Sequence, residues 1–167
     1  MFTKSKAVST VTNLLRGRPQ KVKDLFQQFE KVESANEKQR IVETALMELD
    51  VHAKLEEELI YPAIREEIDD EELMDEALEE DHVVHRLLGE LKKMKPSDDR
   101  YDAKFIVLAE SVKHHIKEEE SEMFPRADAC DIDWESWYAQ VMKRKEQLLS
   151  KSGGTSETSP SKTSKKQ

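Results

Sequence analysis

The strongest constraint on this chain is that it writes one helical hairpin twice. "HAKLEEELIYPA" begins at His52 and "HIKEEESEMFPRA" begins at His115; each runs His, a block of Glu, an aromatic nine residues on, and then Pro. The likeness extends upstream of both motifs. Val22, Leu25, Phe26 and Phe29 correspond to Val84, Leu87, Leu88 and Leu91 at a displacement of 62 residues. Val42, Ala45, Leu46 and Leu49 correspond to Phe105, Leu108, Ala109 and Val112 at a displacement of 63. Every set steps by three and four, which is the spacing of one face of an α-helix. Two such hairpins with short connections bury their stripes against each other. The expected fold is therefore all-α, an antiparallel up-down four-helix bundle.

The bundle helices are expected over 19–32, 37–61, 70–94 and 102–123, with Pro62 and Pro125 ending or kinking the second and fourth. A fifth helix over 134–149 follows the cap candidates Asp131 and Asp133 and flanks the bundle, giving one domain over 1–149. No strand period of two competes with this reading. A chain with 38% charged residues and only four Gly suits long helices. The stretch "SKSGGTSETSPSKTSKKQ" over 150–167 has no apolar residue, so a disordered tail is expected there.

A formal charge of −9 without a basic face speaks against a nucleic-acid partner held by phosphate contacts. The single cysteine, Cys130, excludes an internal disulfide framework and fits a reducing compartment. No apolar run reaches membrane-spanning length and the N-terminus lacks a secretory h-region, so a cytoplasmic protein with no membrane partner is expected. No Gly-rich phosphate loop or activated Ser or Cys nucleophile is recognisable, and a catalytic role is not required.

The apolar stripe of the second helix (42, 45, 46, 49) continues by helical spacing to His52 and Glu56. That of the fourth (105, 108, 109, 112) continues to His115 and Glu119. All four side chains are expected to project into the bundle, whereas Glu57, Glu58, Glu118 and Glu120 read as a solvated face. A buried carboxylate is costly unless a cation or a charged partner compensates it. Two of them, each one turn after an inward His, form the arrangement that a metal inside a bundle requires. Imidazole nitrogen and carboxylate oxygen suit iron, and also manganese or zinc. His114 lies off the stripe, so His115 is preferred as the ligand.

These motifs resemble the hemerythrin-like, HHE cation-binding domains over about residues 14–127. The resemblance implies a four-helix bundle around a non-haem, often di-iron, centre that carries or senses oxygen, nitric oxide or iron. It implies His52 and His115 as terminal ligands and Glu56 and Glu119 as bridges. Two positions depart from the family pattern: Pro19 and Asp81 stand where the first and third helices usually supply His. Asp81 keeps a carboxylate, and His85, one turn further and beside Val84 and Leu88, is the spare ligand. The expected metal set is thus His52, Glu56, Asp81, His85, His115 and Glu119, holding one or two non-haem iron ions with an open position for a small diatomic ligand. Two other readings stay open on the sequence: a metal-free bundle serving as an interaction module, and a single structural zinc on His52, His85, His115 and one Glu.

Overall fold

The computed structural model of the chain describes residues 20–153. Every regular element among them is helical. Helix α1 covers residues 20–29. α2 (Ala35–Leu55) runs through a π-turn, Glu56–Ile60, into α3 (Tyr61–Arg65). α4 (Glu71–Leu91) and α5 (Tyr101–Glu118) follow; α5 passes through a second π-turn, Glu119–Met123, into α6 (Phe124–Asp128). α7 (Trp134–Gly153) ends the described chain. The four expected bundle helices and the flanking fifth are all present, with adjusted boundaries.

The ends have local causes. Asp70 caps α4 by accepting from the Leu73 backbone N–H at 3.1 Å, and Asp133 accepts from the Ser136 N–H at 3.2 Å in the first turn of α7. Arg100, just before α5, takes the left-handed conformation at φ 67°. α7 carries residues 150–153 in helix, so the helix runs past the expected limit at Leu149. The expected tail beyond 153, and Pro19, lie outside the described residues.

Of the two expected outcomes, ending or kinking, the first does not occur: neither Pro62 nor Pro125 stops its helix. Each follows a π-turn in which the helix bonds one residue further back: the Tyr61 N–H reaches the Glu56 carbonyl and the Phe124 N–H reaches the Glu119 carbonyl. A widened turn is how a helix passes a residue that has no N–H and a ring crowding the preceding turn. The two glutamates singled out by the repeat are the residues on which these turns open.

The apolar interior falls into two clusters. One joins α1, the first part of α2, the second half of α4 and most of α5, centred on Phe105, Leu88, Leu108 and Val42. Phe26 and Phe29 pack on Phe105 with ring centroids 5.4 and 4.6 Å away. Truncating Phe105 to Ala would cost about 3–5 kcal/mol. The other joins both π-turns to α3, α6, the start of α4 and the inner face of α7, through Ile60, Ile64, Met74, Met123, Trp137 and Val141. Trp137 Nε1 donates to the Leu59 carbonyl at 3.1 Å and Arg144 forks onto Glu58 at 2.6 and 2.9 Å, so α7 is tied to the first π-turn. Along α2, α4 and α5 the two clusters are separated by one polar layer: His52 and Glu56, Asp81, and His115 and Glu119.

Candidate metal centre

The helical register that buries Leu49, Val84 and Val112 also turns this layer inward. Glu56, Asp81, His115 and Glu119 are 1%, 2%, 4% and 3% exposed. His52 is slightly more open, with its side chain 12% exposed. His52 Nε2 lies 2.6 Å from Glu56 Oε1. His115 Nε2 faces Glu56 Oε2 at 3.7 Å, Asp81 Oδ1 at 3.5 Å and Glu119 Oε1 at 3.5 Å. The four side chains expected to turn inward, His52, Glu56, His115 and Glu119, do converge across the bundle, and Asp81 joins them.

The donor atoms form two groups that share one residue. Single donor atoms of His52, Glu56 and Glu119 lie within 4.8 Å of one another, and so do those of Glu56, Asp81 and His115. Despite this crowding, His52 Nε2, both oxygens of Glu56 and Asp81 Oδ2 are fully buried without a hydrogen bond of acceptable geometry. Leaving such atoms unpaired costs about 1–3 kcal/mol each, and more when charged. Unpaired lone pairs that face one another from α2 with its π-turn and from α4 are what a cation between them would satisfy. On this structure the residues fit a bound metal.

The electrostatics point the same way. Three buried carboxylates face two imidazoles, so among the side chains alone negative charge is in excess. Burial would raise Glu56, but the neighbouring imidazoles of His52 and His115 reverse the sign and hold it below the usual carboxylate range. Burial, and then the Glu56 charge, push Glu119 well above that range. The same two causes raise Asp81 to about 8. Burial disfavours the charged form of His115, yet Glu119, Glu56 and Glu80 outweigh it and lift the imidazole to about 12. Without a cation the layer is therefore balanced by protons on its carboxyl groups; a divalent cation displaces those protons.

His85 is not brought to this layer. Its Nδ1 lies 3.1 Å from Glu57 Oε1, and its side chain is 30% exposed. Four residues advance a helix by about 400°, so His85 overshoots the Asp81–Val84–Leu88 stripe by about 40° and lands on the flank. His114 and His82 are exposed, at 63% and 68% of their side chains. Glu58 is exposed as expected, whereas Glu57, Glu118 and Glu120 are half-buried.

Sequence reasoning missed two members of the site. Tyr61, 2% exposed, donates its hydroxyl to Glu119 Oε1 at 3.0 Å and lies 3.2 Å from His115 Nε2. Burial and the surrounding carboxylates raise its phenol well above the ordinary value, so it stays a donor. The available signal was that the repeat pairs Tyr61 with Phe124, and only Tyr has a hydroxyl. Glu80 is the other: it contacts His115 Nδ1 at 3.0 Å, but sits in an acidic run that reads as solvated surface.

A helical bundle with histidines and carboxylates turned inward to a shared point defines a metal-binding bundle. Comparison narrows this class: the family profile of the Hemerythrin HHE cation binding domain matches residues 10–127. The chain belongs to that family, and is a hemerythrin-like cation-binding domain. It is 31% identical over 134 residues to a protein named DNA nickase from Nostoc sp. (strain PCC 7120), a match covering 75% of this chain and 37% of that protein's length. Among solved structures, a hemerythrin HHE cation binding domain-containing protein from Mycobacterium kansasii superposes with a TM-score of 0.63 at 20% identity. That match covers 94% of this chain and 96% of the other, and it supports the fold. Among the described residues no helix is long and apolar enough to cross a membrane.

Proposed function

We propose that the chain holds a pair of non-haem iron ions in the polar layer and uses them to bind or sense a small diatomic molecule such as oxygen or nitric oxide. The observation that carries this reading is the pair of three-donor groups with Glu56 common to both. His52, Glu56 and Glu119 would hold one ion, and Glu56, Asp81 and His115 the other. Nitrogen and carboxylate oxygen donors without a thiolate suit iron. Three protein donors leave coordination positions open. Iron bound there would supply an open position and a redox-active centre.

The chain's own residues shape what reaches that centre. The donors His52, Glu56, Asp81 and His115 line one side of a cavity of about 20 Å³ whose other walls include Leu49, Val84, Val112 and Ile116. Room for roughly one water-sized molecule favours a small ligand over an organic substrate. Tyr61 holds Glu119 in place by donating its hydroxyl to it. The activity named for the Nostoc protein belongs to a chain of which this one spans 37%, and it enters this reading nowhere.

The test is metal analysis of protein produced with iron and purified without chelator, followed by anaerobic reduction and exposure to oxygen or nitric oxide. Two iron ions per chain, with a near-ultraviolet or visible band that changes with either gas, is the expected result. Protein that takes up no iron, manganese or zinc would leave the metal-free interaction module as the right description. A single tightly held zinc without gas-dependent absorbance would favour a structural site.

A further inference from the structure

Glu80 stands one residue before Asp81 on α4 and outside both donor groups. Its Oε2 lies 3.0 Å from His115 Nδ1. On the other side of the same ring, Nε2 is surrounded by Glu56, Asp81, Glu119 and the Tyr61 hydroxyl, all between 3.2 and 3.7 Å away. The ring is thus held across α4 and α5 with one nitrogen toward Glu80 and the other toward the donor cluster. An imidazole binds a metal through a nitrogen that carries no proton, so the remaining proton must sit on the opposite nitrogen. The second oxygen of Glu80 is not idle: Oε1 lies 3.3 Å from His114 Nε2, which in turn is 3.1 Å from Glu118 Oε1. His114 therefore steadies Glu80 from the solvent side. Among the described residues no carboxylate reaches Nδ1 of His52.

We propose that Glu80 is a positioning residue of the metal centre: it accepts the Nδ1–H of His115 and so presents Nε2, deprotonated and aimed, to the cation. This inference rests on the metal-binding reading above. It assigns a role to a half-buried surface glutamate that donates nothing to the metal itself. It also gives the adjacent residues His114 and His115 different tasks, the first bracing the carboxylate and the second binding the ion.

The experiment titrates the full-length, chelator-treated protein with Co(II) and, anaerobically, with Fe(II). Glu80→Ala should weaken binding by about 10–100-fold, the usual effect of removing an outer partner of a ligand histidine. Glu80→Gln keeps an oxygen acceptor for the Nδ1–H and should stay within a few-fold of wild type. His114→Ala should change affinity by less than Glu80→Ala. Circular dichroism of each metal-free variant checks that the bundle is intact. In Co(II)-loaded protein, proton NMR should show the hyperfine-shifted, exchangeable imidazole N–H of His115 in wild type and Glu80→Gln. That signal should be lost to rapid exchange in Glu80→Ala, a change that a merely structural role would not produce. If wild type loads metal and Glu80→Ala loads it equally well, or retains that N–H signal, the positioning role is overturned while the metal reading stands. Failure of wild type to load either ion overturns both.

Discussion

In the first copy of the repeated motif, His52 lies 2.6 Å from Glu56, the side chain of His52 is 12% exposed, and the aromatic that follows is Tyr61. In the second, His115 is 3.5 Å from Glu119, its side chain is 5% exposed, and the aromatic is Phe124. Both copies open a π-turn on the glutamate and pass a proline. Yet Glu56 is held below the ordinary carboxylate range and Glu119 is pushed well above it. The two glutamates are equally buried, so desolvation does not separate them. Glu56 has an imidazole on either side, whereas Glu119 faces the charge of Glu56. The same His-to-Glu spacing has thus been given unequal chemistry by what lies across the bundle.

That inequality is easiest to break at the shared glutamate. Glu56→Gln removes a donor from both groups and should abolish metal uptake. Glu119→Gln touches only one group and should leave about one ion per chain, measured by elemental analysis after loading with iron. In chelated protein the order of stability should also differ. Glu56→Gln strips His115 of a counter-charge and lowers the melting temperature at pH 8, while Glu119→Gln leaves it unchanged or higher. Equal metal loss and equal stability effects in the two variants would show that the copies are equivalent.

The next effect is the pH dependence of the chelated protein. Asp81, at about 8, and Glu119 have folded values raised above their unfolded ones. Their contribution is present below the unfolded carboxylate value and is lost as pH rises toward the folded one. His115, raised to about 12, contributes fully below its unfolded value of 6.5 and loses that contribution as pH rises toward 12. All three slopes have the same sign between pH 5 and 8. The metal-free bundle should therefore melt lower at pH 8 than at pH 5, by roughly 4–8 °C for about 2 kcal/mol. Differential scanning calorimetry with and without metal checks this, and Asp81→Asn should flatten the slope. A melting temperature that rises over this interval would mean that the buried carboxyls are charged without a cation.

Smaller again is Tyr61→Phe, which makes the first copy match the second at this position. Loss of the hydroxyl bond to Glu119 should cost about 1 kcal/mol, or roughly 2–4 °C, visible in the melting curve. The smallest effect belongs to His85→Ala. His85 pairs with Glu57 on the flank, so iron content should stay within error of wild type. A loss of one ion in that variant would restore His85 as a ligand.

The duplicated apolar register was enough, without coordinates, to place the four bundle helices and the inward course of His52, Glu56, His115 and Glu119, because a 3.6-residue period fixes which side chains share a face. Asp81 entered the expected set only through the family resemblance, as the carboxylate standing where the third helix usually supplies His. His85 was misread because one full turn and a fraction look alike in a sequence but differ by about 40° on the helix. The continuation of both helices past Pro62 and Pro125 was hidden as well, since helix propensity charges proline with breaking a helix and takes no account of a widened turn held by packing from Ile60, Met123 and α7. Tyr61 and Glu80 entered the site through contacts spanning 58 and 35 residues. Distances of that kind depend on how the helices and the two π-turns approach one another, as do the opposite protonation tendencies of Glu56 and Glu119. Periodicity along the chain determined which side chains turn inward; only the approach of one helix to another decided which of them meet and what charge each one carries.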